Sequence, residues 1–176
     1  MNVDLNQLCP EIIMLTGAAL VAMLGLARQD VIRRSGQWVM LITLVLAFIA
    51  GYQFSDIGDK QGWFLWPLAT YDTLLSTGIG ILLVLSSWGM PFENDPSRTD
   101  KQYRGEFFAL MLCSLAGVSM IAKVNNLIWL FLALELTSIP TYIMVAIGRA
   151  NAGAQEAGVK YFFLGALSAA LFLFGF

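Results

Sequence analysis

The sequence predicts an all-α fold, a polytopic bundle of about six transmembrane helices. Three observations carry that prediction. The 176-residue chain is 58% hydrophobic and 12% charged, where soluble domains are about 25% charged. Six separate runs are each long and apolar enough to cross a bilayer core, which takes about 20 residues. The basic residues also alternate between loops in the way that fixes membrane orientation.

The first span is Leu8–Ala27. Pro10 suits its first turn, where a missing N–H costs nothing. Acidic Asp4 and Glu11 stand where a cleaved signal peptide would carry a basic region. The second span is Trp38–Phe54 and the third Leu68–Trp88. Between them, "DIGDKQGWFLWPLAT" sets Trp63 and Trp66 beside Pro67, as in an aromatic belt at the membrane–water interface. Asp72 and Glu106 fall near span ends, where a helix N-terminus favours negative charge. "PFENDPSRTDKQYRGE", from Pro91 to Glu106, reads as a solvated loop. The fourth span, Gly105–Ala122, holds Cys113 as a packing residue, and Asn125 and Asn126 turn the chain into the fifth, Leu127–Ile147. In the sixth, Gln155–Phe176, Gly165 and Ala169 form a small-xxx-small pair suited to close helix packing. That span ends on "LFLFGF" without a polar flank, so a fragment or one product of a split gene is expected.

Arg28, Arg33, Arg34, Arg98, Lys101, Arg104 and Arg149 occupy one set of alternate loops, against Lys60 and Lys123 on the other. Positive residues concentrate on the cytoplasmic side, which puts the N-terminus on the non-cytoplasmic side of what is expected to be a bacterial inner membrane.

Composition also narrows the chemistry. There is no His, which removes the commonest metal ligand and the commonest neutral-pH base. Cys9 and Cys113 stand far apart and suggest neither a disulfide framework nor a cluster. The net charge is −2, with no basic tract to bind nucleic acid. "GIG" at Gly78–Gly80 lies inside an apolar span, so it is not part of a dinucleotide fingerprint. The ionisable groups inside the spans remain.

Glu135 sits near the middle of the fifth span, where burying an ionised group costs about 2.5–3.5 kcal/mol on insertion scales. Its side chain is too short to reach either interface, and no basic residue lies three or four positions away. Ser138 and Tyr142 share its helix face and could hold water or relay protons. Pro140 leaves the Leu136 carbonyl without its helical donor, a gap that neighbouring helices or water must fill. The plainer alternative is that Ser138 bonds back to its own helix and Pro140 only bends it. Lys160 enters the next span from the cytoplasmic side. The short connection between the two spans makes them antiparallel neighbours, within one or two turns of a direct or water-bridged Glu135–Lys160 pair. Lys160 has two local alternatives, a pair with Glu156 four residues earlier and a snorkelling position at the interface.

"NNLIWLFLALELTSIPTYIMVAIGR", followed by "EAGVKYFFLGALSAALFLFGF", resembles the antiporter-like membrane subunits of respiratory complex I, the NADH:quinone oxidoreductase. "PEIIMLTGAAL" and "LLVLSS" agree more loosely. The resemblance covers essentially the whole chain, but only about the first third of a family member. It implies the N-terminal part of a larger bundle of inverted repeats. Residues 1–104 would hold the first three helices, and residues 105–176 would begin the first antiporter-like repeat. Glu135 matches the family's buried glutamate and Lys160 the lysine on the following helix, both assigned to proton transfer, with Ser138, Pro140 and Tyr142 as support. The family's central lysines fall beyond Phe176, so no complete half-channel is expected. The resemblance implies no cofactor on this chain; NADH, FMN, iron–sulfur clusters and quinone belong to partner subunits. The partners implied are other membrane-arm subunits, the lipid bilayer and a separate chain supplying the remaining helices. The function implied is coupling of electron transfer from NADH to quinone with proton transport. A subunit of a multi-subunit cation/proton antiporter and a purely structural membrane subunit are the alternatives.

Overall fold

The computed structural model describes residues 8–26, 35–53, 66–87, 104–124, 126–148 and 152–175. Among them six helices follow one another: α1 (Cys9–Gly25), α2 (Gly36–Gln53), α3 (Trp66–Ser86), α4 (Arg104–Ile121), α5 (Leu127–Ile147) and α6 (Ala152–Phe174). Each matches a span read from the sequence to within a turn at either end. The segment with Trp63, the loop from Pro91 and the residues Asp4, Arg28, Arg33, Arg34, Lys60, Arg98, Lys101, Asn125 and Arg149 lie outside the described residues.

By length and composition, four of these helices can cross a membrane: Gly36–Gln53, Leu68–Ser86, Leu127–Ile147 and Ala152–Phe174. α1 and the apolar part of α4, Gly105–Ile121, are shorter. α1 to α4 close into a ring, with α1 packed on both α2 and α4 and α3 on both α2 and α4, while α5 lies on α4 and α6 on α5.

Met14 and Val21 of α1, Met40 and Leu44 of α2, Val84 of α3 and Leu112 of α4 fill the centre of the ring. Cys113 is partly buried and packs against this core. Two glycine contacts set helix spacing. Gly25 and Gly105 bring the C-terminal end of α1 against the start of α4, where a Cβ on Gly25 would lie 2.9 Å from the Gly105 Cα. A Cβ on Gly117 would lie 2.7 Å from the Thr137 backbone nitrogen, so α4 and α5 touch backbone to backbone. Small residues permit this approach between apolar helices. Hydroxyls inside the helices bond back to preceding carbonyls, as Thr43 does to Val39 at 2.8 Å and Thr77 to Thr73 at 2.6 Å. Such bonds satisfy a polar group without leaving the helix.

Large apolar side chains cover the outer surface, including Leu82, Phe163, Leu164, Leu167 and Phe174. In α6, Gly158 is the one buried residue among those described. Water would not tolerate so extensive an apolar face, whereas lipid or further helices would.

Candidate functional site

α5 begins where Asn126, in extended conformation, accepts the Ile128 N–H on its side-chain oxygen at 2.9 Å. This satisfies one of the orphan donors of the first turn. Two faces of α5 are then occupied. Ala133 and Pro140 are buried on the side where Thr137 meets Gly117 of α4. On the other side Phe131 stacks on Phe172 with ring centroids 6.4 Å apart, Tyr142 meets Tyr161 edge-on at 4.6 Å, and Ala146 lies against Gly158. Positions 131, 135, 138, 142 and 146 recur at helical spacing, so Glu135 and Ser138 share the face turned to α6.

Gly165 is what admits Tyr142 to that face, because a Cβ there would overlap the phenol oxygen. The Gly165–Ala169 pair thus serves close packing, with a tyrosine ring rather than a helix backbone over the glycine. Ser138 donates to the Leu134 carbonyl at 2.8 Å, which commits its one proton to its own helix and leaves its lone pairs as acceptors. Pro140 stays within a continuous α5, and Ser114 of α4 donates to the neighbouring Thr137 carbonyl at 3.2 Å. Glu135 is half-buried. Among the described residues, no hydrogen bond or ion pair reaches its carboxylate.

Lys160 is not beside it. Its ammonium pairs with Glu156 at 2.5 Å, both side chains being mostly exposed. The contacts of Phe131 with Phe172 and of Tyr142 with Tyr161 set the antiparallel register of α5 and α6. In that register Glu135 faces the region of Ser168–Phe172, and Lys160 lies roughly 14 Å away along the axis at about 1.5 Å per residue. The sequence allowed a closer approach. The local i,i+4 partner wins because it needs no displacement of a helix.

A second ionic site was not visible in the sequence. Glu11, 1% exposed, receives the Lys123 ammonium at 2.6 Å on Oε1. The Ser119 hydroxyl donates to the same oxygen, and Thr73 lies 3.0 Å from Ser119. Ser119 and Thr73 each have a single proton: Ser119 donates to Glu11 and Thr73 to the Ala69 carbonyl at 3.0 Å, so their mutual contact competes with those bonds. The second oxygens of Glu11 and Asp72 are enclosed without a hydrogen-bond partner. Lys123, read from the sequence as a loop charge that helps set topology, is instead turned inward against Glu11. Glu106 stands in the first turn of α4, as read from the sequence, and Asp72 lies further in, in the second turn of α3; each has one enclosed carboxyl oxygen without a hydrogen-bond partner. The available signal was that Glu11 opens an apolar helix with no basic residue nearby; its partner lies 112 positions away. Among the described residues, no cluster of three or more His, Cys, Asp or Glu could hold a metal ion.

Residues 124–176 match the family described as NADH:quinone oxidoreductase/Mrp antiporter, transmembrane. Along almost its whole length the chain is similar to proteins named NADH-quinone oxidoreductase subunit N. The one from Paramagnetospirillum magneticum is 31% identical over 174 residues, covering 99% of this chain and 35% of the relative. The one from Alkalilimnicola ehrlichii is 32% identical over 98% of this chain and 35% of the relative. The one from Myxococcus xanthus is 33% identical over 98% of this chain and 33% of the relative. The chain therefore spans about a third of the length of the curated relatives it matches. By its helices it is an integral membrane protein, similar along nearly its whole length to part of each of these relatives and, over residues 124–176, to the antiporter-like transmembrane family.

Proposed function

We propose that this chain acts in the membrane arm of a proton-translocating NADH:quinone oxidoreductase, with Glu135 as a proton-exchanging carboxylate. The observation that carries this reading is Glu135 itself: a carboxylate midway along a helix able to cross a membrane, on the face turned to α6, with no hydrogen bond or ion pair among the described residues. An intramembrane carboxylate is costly and is retained where it moves charge. Burial favours the neutral form of a carboxyl and a nearby ammonium its charged form as general rules, so in this reading a cation moving toward or away from Glu135 drives proton release and uptake.

Lys160 is the second carrier in this reading. It exchanges its proton at the exposed end of α6, where Glu156 holds it, and any transfer to Glu135 passes through water or through groups outside this chain. Ser138 and Tyr142 offer acceptor oxygens along the same face, while Pro140, on the side of α4, leaves the Leu136 carbonyl without its helical donor. Within residues 1–104, α1, α2 and α3 form the supporting ring with α4, and in this reading residues 105–176 open the first antiporter-like repeat. NADH, FMN, the iron–sulfur clusters and quinone are held by partner subunits of the membrane and peripheral arms, and the N-terminus faces away from the cytoplasm of a bacterial inner membrane.

The test is Glu135→Gln in the assembled complex, with NADH-driven proton translocation measured in membrane vesicles. The substitution keeps size and hydrogen bonding and removes the titration. Assembly should be retained while translocation and coupled quinone reduction fall about ten-fold or more, as expected when a positioned proton-transfer group is lost. Glu135→Asp should keep part of the activity. Wild-type translocation by the Gln variant would make Glu135 structural. A cation/proton antiporter is the second reading, because the matched family description spans both classes. Na⁺-dependent proton exchange without NADH oxidation would select it.

A further inference from the structure

We infer that the outer face of α2 is seated against the acyl chains of the bilayer, with Trp38 and Tyr52 at the two headgroup levels, and not against a further protein helix. Trp38, Ile42, Val45, Ile49 and Tyr52 are all exposed. They follow one another at alternating intervals of four and three residues, so they form one stripe along the helix. The opposite side of α2 carries Met40, Leu44 and Ala47, each fully enclosed in the core of the ring.

Lipid and a second helix both suit an apolar face inside a membrane, and the size of its residues tells them apart. Helices that meet in a membrane approach one another over Gly, Ala, Ser and Thr. In α2 the residues of this kind all point inward: Gly36, Thr43, Ala47, Ala50 and Gly51 are buried. The outer face is left with bulky side chains, which hold another backbone away. Fluid acyl chains, as apolar as leucine, fill around them without a complementary surface. α6 is different, since it exposes Ala166, Ser168 and Ala170 among its larger residues.

The aromatic residues fix the depth. Trp and Tyr concentrate at membrane–water interfaces, where the ring meets the tails and the polar tip stays wet. Trp38 is 53% and Tyr52 70% exposed, and they bracket the stripe, roughly 21 Å apart along the axis at about 1.5 Å per residue. Residues 35–55, between Arg34 and Asp56, hold no charge, and that run is close to the about 20 residues that cross a hydrocarbon core. Each ring therefore stands about one turn inside an end of the uncharged run, where the interface falls. Among the described residues, no other helix exposes Trp or Tyr at both ends of its outer stripe. The inference requires no proton chemistry at Glu135 and is tested separately from it.

The experiment uses the wild-type protein in native membranes, so no variant has to fold. Two phospholipids are introduced in turn, one with a photoactivated diazirine at the end of an acyl chain and one with it beside the glycerol. The carbene formed on illumination inserts into neighbouring C–H and O–H bonds, and peptide mass spectrometry locates the adducts. The chain-end probe should mark Ile42, Val45 and Ile49 several-fold more than Trp38 or Tyr52, and the glycerol-side probe should reverse that order. Met40 and Leu44 should carry neither adduct. A stripe that neither probe marks means that another helix covers α2, and it overturns the proposal. Equal marking of Trp38, Val45 and Tyr52 by both probes overturns it as well, because the rings then do not stand at the headgroups.

Discussion

Glu11 and Glu135 are the same residue type in two apolar helices, and their surroundings give them different consequences for stability. Glu11 is closed in with an ammonium whose side chain is 9% exposed, so the pair must be removed together or not at all. Lys123→Met should destabilise the fold by about 3–5 kcal/mol, because it leaves a buried carboxylate uncompensated. The double variant Glu11→Gln/Lys123→Met should recover most of that loss, and thermal unfolding in detergent micelles would measure both. If the double variant is no more stable than the single one, the Lys123–Glu11 pair is not what holds α1 to the end of α4. Glu156 and Lys160 contrast with this pair: both are largely exposed, and such pairs contribute about 0–1 kcal/mol.

At the scale of elements, helix spacing depends on where a glycine faces backbone. A Cβ on Gly117 would meet the Thr137 hydroxyl and the backbone of α5 at Leu136 and Thr137, and the backbone cannot yield, so Gly117→Val should drive α4 and α5 apart and sharply lower the yield of folded protein. Gly78 faces open space, with no atom within 4 Å of the place an alanine methyl would take. Gly78→Ala should therefore be neutral or stabilising by up to about 1 kcal/mol through helix propensity. Thermal unfolding of the two variants side by side separates packing from propensity, and equal effects would contradict the close approach of α4 and α5. Gly165 makes the same argument for the functional face, since the room it leaves is what sets Tyr142 beside the Glu135 stripe.

For the whole molecule, a ring of four helices supports a two-helix extension, and the carboxylate proposed to move protons lies on the extension. The proposed orientation rests on the alternating loop charges of the sequence and can be tested directly. Cysteine placed at Ser97 should be inaccessible to an impermeant thiol reagent added to intact cells, and cysteine at Lys60 should be labelled. The opposite pattern would invert the topology.

Sequence alone was enough for the class, the six helices and Glu135. Those rest on local properties: an apolar run long enough for a bilayer, a proline at a first turn or an asparagine before an apolar stretch, and an ionisable residue where none is expected. The residues of the Glu135 face were legible for the same reason, since helical spacing puts positions 135, 138 and 142 together in any context. Tertiary structure decided the pairings. Whether Lys160 met Glu135 or Glu156 depended on the register of α5 against α6, which Phe131, Tyr142 and Gly165 set by shape. That Lys123 met Glu11 depended on α1 and α4 packing antiparallel at glycine distance, a relation between positions 112 residues apart. Long-range electrostatic partners are chosen by which helix faces come together, and no local pattern in the chain records that choice.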